Sequence, residues 1–251
     1  MKKVVTVLVA LVLTVLVFNP PVSAEEGINL TEEDYSKISQ QMKVDGSSQE
    51  DIDKVIAKLK NGETLDADKP NNQSSTYFTL SSSSESVYDE EKDSLTAVTG
   101  EEKEKTTRFD DGSYIKVEII EEPSLNEGQF SVMAASKKTV TAKGSSLWGN
   151  ASYKADVYID TRSGGSNYIG KVWGYNIQTY LGTYSDANLD ITRKTEHRSK
   201  GITAKSRLRY TWNSSTSLSS KTTYLKLHTG DKLKDRYGIW VDFTSGSASY
   251  K

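Results

Sequence analysis

The sequence predicts a mainly β protein, with a C-terminal antiparallel β-sandwich or jelly roll preceded by a short α-helical hairpin and an acidic linker. Three observations carry that expectation. From Lys137 to Lys251 there is no proline, and β-branched and aromatic residues recur in runs separated by Gly, Asn, Asp and Ser. Several of these runs alternate with a period of two. In Gly201 to Trp212, Ala204, Ser206, Leu208, Tyr210 and Trp212 fall on one face and Lys205, Arg207 and Arg209 on the other, as in a strand with one side on a core. Charge divides along the chain as well. Residues 25–136 hold 11 Lys/Arg against 26 Asp/Glu, a net of −15, whereas residues 137–251 hold 19 against 8, a net of +11. Such a split predicts an acidic tail or pro-region beside a module that attracts anions.

At the N-terminus, Lys2 and Lys3 precede an apolar run from Val4 to Phe18, a helix-breaking Asn19-Pro20-Pro21 and the small residues Val22-Ser23-Ala24. Residues 1–24 therefore read as a secretory signal peptide cleaved after Ala24. The apolar core, about 15 residues, falls short of the roughly 20 that span a bilayer. The expected location is secreted, with no transmembrane segment after cleavage. The chain has no cysteine, which excludes disulfides, thiolate metal sites and a Cys nucleophile.

Residues 25–62 read as a helical hairpin. Thr31 is placed to N-cap a first helix with Glu32, Glu33 and Asp34 in its first turn, and Gly46 to end it. Ser48 with Asp51 has capping-box spacing for a second helix, in which Ile52, Val55, Ile56 and Leu59 form one apolar stripe up to Gly62. One stripe on two short helices predicts docking on another surface rather than an independent domain.

Met42, Gly46, Ser48, Ile52, Asp53, Lys58 to Leu65 and Pro70, followed by Phe109-Asp-Asp-Gly-Ser113, carry a resemblance. The stretch resembles uncharacterised exported proteins of Gram-positive bacteria, in which a similar helix and KxGExxD-like turn precede a short F-x-D-G-S strand and a C-terminal β-domain. The resemblance implies export and this layout. It brings no activity, substrate or catalytic residue with it.

Residues 63–105 are polar and acidic, with too little apolar content to offset ordering entropy, and are expected to be a disordered linker. Residues 106–135 are expected to hold a β-hairpin, Thr106–Phe109 and Tyr114–Ile120 about an Asp-Gly turn, and a connector. The basic sandwich domain then occupies 136–251. Its strands are expected near 138–143, 151–160, 168–182, 187–195, 202–212, 221–228 and 236–243, with turns at Gly164-Gly165, Ser185-Asp186, Gly201, Asn213 to Ser215 and Gly230-Asp231.

The inventory for catalysis is thin. His197 and His228 fall on different expected elements, no G-x-S-x-G elbow is present, and the basic region has Glu196 as its one glutamate. Asp156 and Asp160 read as a solvated stripe. Asp66-Ala-Asp68 begins like a calcium loop but lacks the glycine and the glutamate that should follow, so no metal ligands and no cofactor are expected. What remains is a binding surface. The basic region holds all four tryptophans, of which at least two are expected in the core. The candidate binding residues are Lys205, Arg207, Arg209, Tyr175, Tyr180, Arg193, Lys194 and Arg198, since aromatics stack on sugars or bases and Lys/Arg attract phosphate.

Three functional expectations follow. The first is a secreted, non-catalytic β-domain that binds an anionic polymer or cell surface, a cell-wall polymer foremost. The second is a secreted antimicrobial or toxin-like effector whose acidic pro-region, about 25–136, is removed by processing near Ala135 and Ser136. The third is a carbohydrate-binding module.

Overall fold

The computed structural model describes residues 30–69, 71–72, 74–78, 87–89, 94–96, 104–122, 136–160, 165–214, 220–232 and 236–245. The expected signal peptide with its cleavage point at Ala24, the connector 123–135 with Ala135 of the expected processing point, the turn residues Gly164 and Ser215, and residues 246–251 lie outside them.

Two short helices open the described chain, α1 (Glu32–Val44) and α2 (Gln49–Lys60). Thr31 and Asp34 cap α1 reciprocally: the Thr31 hydroxyl accepts from Asp34 N–H at 3.2 Å and Thr31 N–H donates to Asp34 Oδ2 at 2.9 Å. The reciprocal box is thus on α1; on α2, Ser48 accepts from Asp51 N–H at 3.1 Å. Gly46 and Gly62, both at positive φ, follow the two helices as expected.

The strands are β1 (Ser74–Phe78), β2 (Val87–Asp89), β3 (Ser94–Thr96), β4 (Glu104–Arg108), β5 (Tyr114–Glu121), β6 (Ser136–Ser146), β7 (Gly149–Ile159), β8 (Tyr168–Thr179), β9 (Thr183–Arg193), β10 (Ala204–Asn213), β11 (Ser220–Lys232) and β12 (Arg236–Ser245). β4 to β8 form one five-stranded meander, the back sheet. β9 to β12, with β1 added beside β12, form the front sheet. β2 and β3 form a separate ladder. All described ladders are antiparallel. Since each large sheet is built of consecutive strands, the architecture is a sandwich of meanders rather than the crossed connections of a jelly roll.

Alternation builds the core. β7 and β10 each bury every second residue, so Ala151, Tyr153, Ala155 and Val157 face Ala204, Ser206, Leu208 and Tyr210 from opposite sheets. Tyr153 and Ser206 hydroxyls meet across the interior at 3.0 Å. Gly144 is required there, because a Cβ would lie 2.2 Å from the Phe243 ring. Trp148 and Trp212 are buried in the end cluster, and Trp240 is buried on the outer side of β12.

The helices close one end of the sandwich. The hairpin turns present Leu147, Trp148 and Leu181 there, beside Tyr114 and Trp212, and Ile38, Met42, Ile52, Val55, Leu59 and Leu65 pack on them as a second apolar cluster. The β6–β7 turn is Leu147-Trp148, apolar because it is covered. Polar contacts fix the seam. Asp68, in a 3-10 turn (Asp66–Asp68), accepts from Trp148 Nε1 at 2.9 Å and pairs with Lys221. Lys58 Nζ lies 3.1 Å from Asp66 and 3.0 Å from Asp111. Arg108 donates to Ser47 and Gly46, and Tyr114 OH to Asp45.

Four expectations change. The stretch 63–105 is not a continuous linker, since it contains the docked 3-10 turn and β1, a front-sheet strand whose residues pair with 239–243. Residue 136 is not a structural boundary, because β5 pairs with β6 along seven residues of each. Ser185-Asp186 is not a turn: the chain reverses at 180–182, and Asp186, at φ 53°, lies where the β9–β10 register shifts. Gly230-Asp231 lies inside β11, where Gly230 pairs with Gly238.

Candidate anion-binding face

β10 turns Ala204, Ser206, Leu208, Tyr210 and Trp212 into the core and leaves Lys205, Arg207 and Arg209 half-buried on the outer face of the front sheet. The ladders decide their neighbours. Lys205 stands between Arg193 of β9 and His228 of β11, Arg207 between Asp190 and Lys226, and Arg209 between Asn188 and Tyr224. One strand further out, Asp242 of β12 lies opposite Lys226 and Trp240 opposite His228. The result is a column of three cations on β10, with Arg193 beside its first member.

Of the three column cations only Arg207 has a carboxylate partner among the described residues, Asp190 at 3.3 Å. Arg207 also lies 5.8 Å from the Tyr224 ring centre, and Lys226 5.5 Å from the same ring. Burial, and then the adjacent Arg207 guanidinium, hold the Lys205 ammonium below its ordinary value. Burial and then Lys205 do the same to Lys226. Asp242 opposes both shifts without cancelling either.

The outer face of the back sheet is built differently. Lys116 pairs with Glu104 at 2.7 Å, Lys143 with Glu118 at 3.3 Å, Lys154 with Glu122 at 3.1 Å and Lys137 with Asp156 at 3.0 Å. Two of these pairs, Lys143–Glu118 and Lys154–Glu122, join a base of the C-terminal half to an acid of the N-terminal half. Part of the charge separation in sequence is therefore cancelled in space, and the β10 column lies outside that cancellation.

The eight candidate residues divide accordingly. Lys205, Arg207, Arg209 and Arg193 come together. Lys194 is exposed next to Arg193, and its carbonyl accepts Ile169 N–H at 2.9 Å, joining the sheets at one corner. Arg198 belongs to the scaffold: it donates to the Asp160 carbonyl at 2.9 Å and to the buried Glu196 carboxylate at 3.2 Å. Glu196 in turn accepts Asn167 N–H at 2.6 Å. Gly230 leaves room for it, since a Cβ there would lie 2.4 Å from Glu196 Oε2. Asp160 is buried as well, so it is no part of a solvated stripe with Asp156. Tyr175 is exposed on β8, the edge of the other sheet. Tyr180 lies in the β8–β9 turn, where Asn150 Nδ2 donates to its hydroxyl at 3.2 Å.

Lys226, Tyr224, Asp190 and His228 belong to this face and were absent from the expected set. The signal for the three on β11 is the alternation Thr222, Tyr224, Lys226, His228, but the place of all four beside β10 depends on a register that the sequence leaves open. His228 is stacked on Trp240, with ring centres 5.0 Å apart, its Nδ1 3.2 Å from Thr203 Oγ1. Its Nε2 lies 3.1 Å from Asp242 Oδ2, within ion-pair range but off the line of an aligned hydrogen bond. His197 is exposed and bridges Ile202, just before β10 begins.

No helix among the described residues is long and apolar enough to cross a membrane. No family model, no curated protein and no solved structure matches the chain.

Proposed function

We propose that the protein is an exported, non-catalytic β-domain that binds an anionic polymer at a cell surface, through the outer face of the front sheet. The observation that carries this reading is the column Lys205, Arg207, Arg209. These cations are held on a rigid strand, partly desolvated and outnumbering the acids beside them, while the opposite face of the same sandwich pairs its charges. Cations so placed lose little freedom on meeting an anion and gain from displacing its counterions. Export follows from the residue pattern of 1–24. The cell-wall polymers of a Gram-positive envelope are the nearest ligands of that class. The pro-region alternative fits the architecture poorly, because residues 25–136 contribute β1, β4 and β5 to the two sheets.

The test is retention on purified cell wall as salt is raised. The wild type should be retained at low ionic strength and released as screening increases. The triple variant Lys205→Glu, Arg207→Glu, Arg209→Glu should be folded and unretained. Retention that ignores salt, or survives the triple variant, would sink the proposal.

A further inference from the structure

We infer that the ligand is a linear, base-free phosphodiester polymer of polyol units that lies along β10, one phosphate against each of Lys205, Arg207 and Arg209. The inference rests on the anion-binding reading and narrows it in orientation, spacing and chemical class.

Orientation comes from what flanks the column. A polyanion lying across the strands at Arg207 meets Asp190 on one side and, beyond Lys226, Asp242 on the other. A polyanion lying along β10 meets Lys205, Arg207 and Arg209 in turn, with Asp190 to displace only at Arg207, and then reaches Thr211 and Asn213, which are neutral. The path along the strand thus faces one carboxylate, Asp190, from the side, whereas a path across it runs over Asp190 and towards Asp242, which selects direction as well as sign.

Spacing comes from the strand. Alternate residues on one face are about 6.8 Å apart, two rises of about 3.4 Å. Contiguous anions, as in linear polyphosphate, are packed more closely than this column can match one to one. Phosphates separated by a short polyol can follow it when extended, each meeting one cation.

Chemical class comes from the aromatic beside the column. Nucleic acid on such a surface needs free ring faces on which bases stack. Tyr224 is half-buried and already carries Arg207 and Lys226 against its ring. The neutral groups at the Arg209 end are instead amide and hydroxyl: Asn188 opposite Arg209 and, past the column, Ser185 and Thr222 on either side of Thr211. These groups suit a polyol backbone.

The experiment compares poly(glycerol phosphate), linear polyphosphate and oligothymidylate of equal charge for binding to the intact protein over a salt series. Poly(glycerol phosphate) should bind roughly ten-fold more tightly than either competitor, a difference near 1.4 kcal/mol. Its plot of log K against log salt should have a slope of about −2, three phosphates at roughly −0.7 each. A second variant moves one cation off the column at constant net charge, across to β11 and two residues along, Arg209→Thr with Thr222→Arg. It should retain the fold, lose several-fold affinity for poly(glycerol phosphate), and reduce the slope by roughly 0.7. Equal binding of all three polymers, tighter binding of oligothymidylate, or an unaffected relocation variant would overturn the column while leaving anion binding in place. Failure of all three polymers to bind, with cell-wall retention unchanged by the triple reversal, would remove both readings together.

Discussion

Lys205 of β10 stands directly opposite Arg193 of β9, cation beside cation in one ladder. Cross-strand pairs of like charge destabilise a sheet by a few tenths of a kcal/mol to about 1 kcal/mol, so this pair works against folding. Lys205→Thr places a good strand former there and removes the repulsion. It should raise stability by about 0.5 kcal/mol in urea unfolding while weakening retention on anionic polymer. A variant that loses stability would mean that the Lys205 stem contributes more by covering apolar surface than its charge costs.

Asp111 ties the N-terminal segments together. Its carboxylate accepts from Asp66 N–H at 2.7 Å, from Ser113 N–H at 3.0 Å and from Lys58 Nζ at 3.0 Å. Burial pushes this carboxyl up, but the Ser113, Asp66 and Lys58 hydrogen bonds outweigh burial and hold it below the ordinary value of 3.8. Because the folded value is depressed, the unfolded chain binds the proton first, and the stabilisation present above the unfolded value is lost as pH falls through the folded one. Asp111→Ala should cost about 3 kcal/mol at neutral pH and flatten the acid limb of the stability curve below about pH 4. A loss under about 0.5 kcal/mol would show that the clasp is ornamental.

His228 gives the opposite half of the molecule its own pH dependence. Burial lowers its value below 6.5, and the Asp242 carboxylate opposes that shift without cancelling it. The charged groups facing it are Lys205 of β10, Lys226 of β11 and Asp242 of β12. With the folded value depressed, the unfolded chain binds more protons, so stability falls as pH drops through 6.5 toward the folded value. Urea midpoints should decline between about pH 7 and about pH 5, and His228→Gln should remove that part of the decline. An unchanged slope in the variant would place the titration elsewhere.

What the residues reveal in order along the chain follows from the range of the interactions involved. The strand faces of 151–160 and 204–212 are legible because alternation is local: each residue's side follows from its neighbour's. The same holds for the helix ends at Gly46 and Gly62. The partners of each strand are not local. β10 and β11 are joined by residues 214–219, too long a connection to impose register as a two-residue turn does. Lys226 beside Arg207 therefore could not be read from spacing. β1 escaped notice because Ser74–Phe78 has almost no apolar pattern; its place is given by the β12 edge it covers. Local pattern marks Asp111 as a turn residue, Asp66 as the start of a calcium-like loop and Lys58 as part of a resemblance, whereas the clasp they form joins segments far apart in sequence. Arg198 shares the local pattern of its basic neighbours, and only the burial of Glu196 beneath it, a tertiary property, sets it apart.

The charge boundary near residue 136 invites the idea of a separable basic domain, and the sheet connectivity predicts that no such domain stands alone. A chain beginning at Ser136 would lack β1, β4 and β5, with both helices. Ile115, Val117 and Ile119, each at most 1% exposed, would no longer cover the interior beside β6 and β12. The front sheet would end at an unpaired β12, the back sheet at an unpaired β6, and Trp148 and Trp212 would lose the cluster that buries them. Unpaired apolar edges of this kind associate rather than stay monomeric. Residues 136–251 expressed alone should therefore aggregate or bind a hydrophobic dye without near-ultraviolet circular dichroism, whereas residues 25–251 should unfold in one cooperative step. A shorter chain with fixed aromatic signals and cooperative unfolding would reverse this conclusion and return the pro-region alternative to first place. Should it fold only when residues 25–135 are supplied as a separate peptide, the two halves would be one sandwich divided by charge and not by structure.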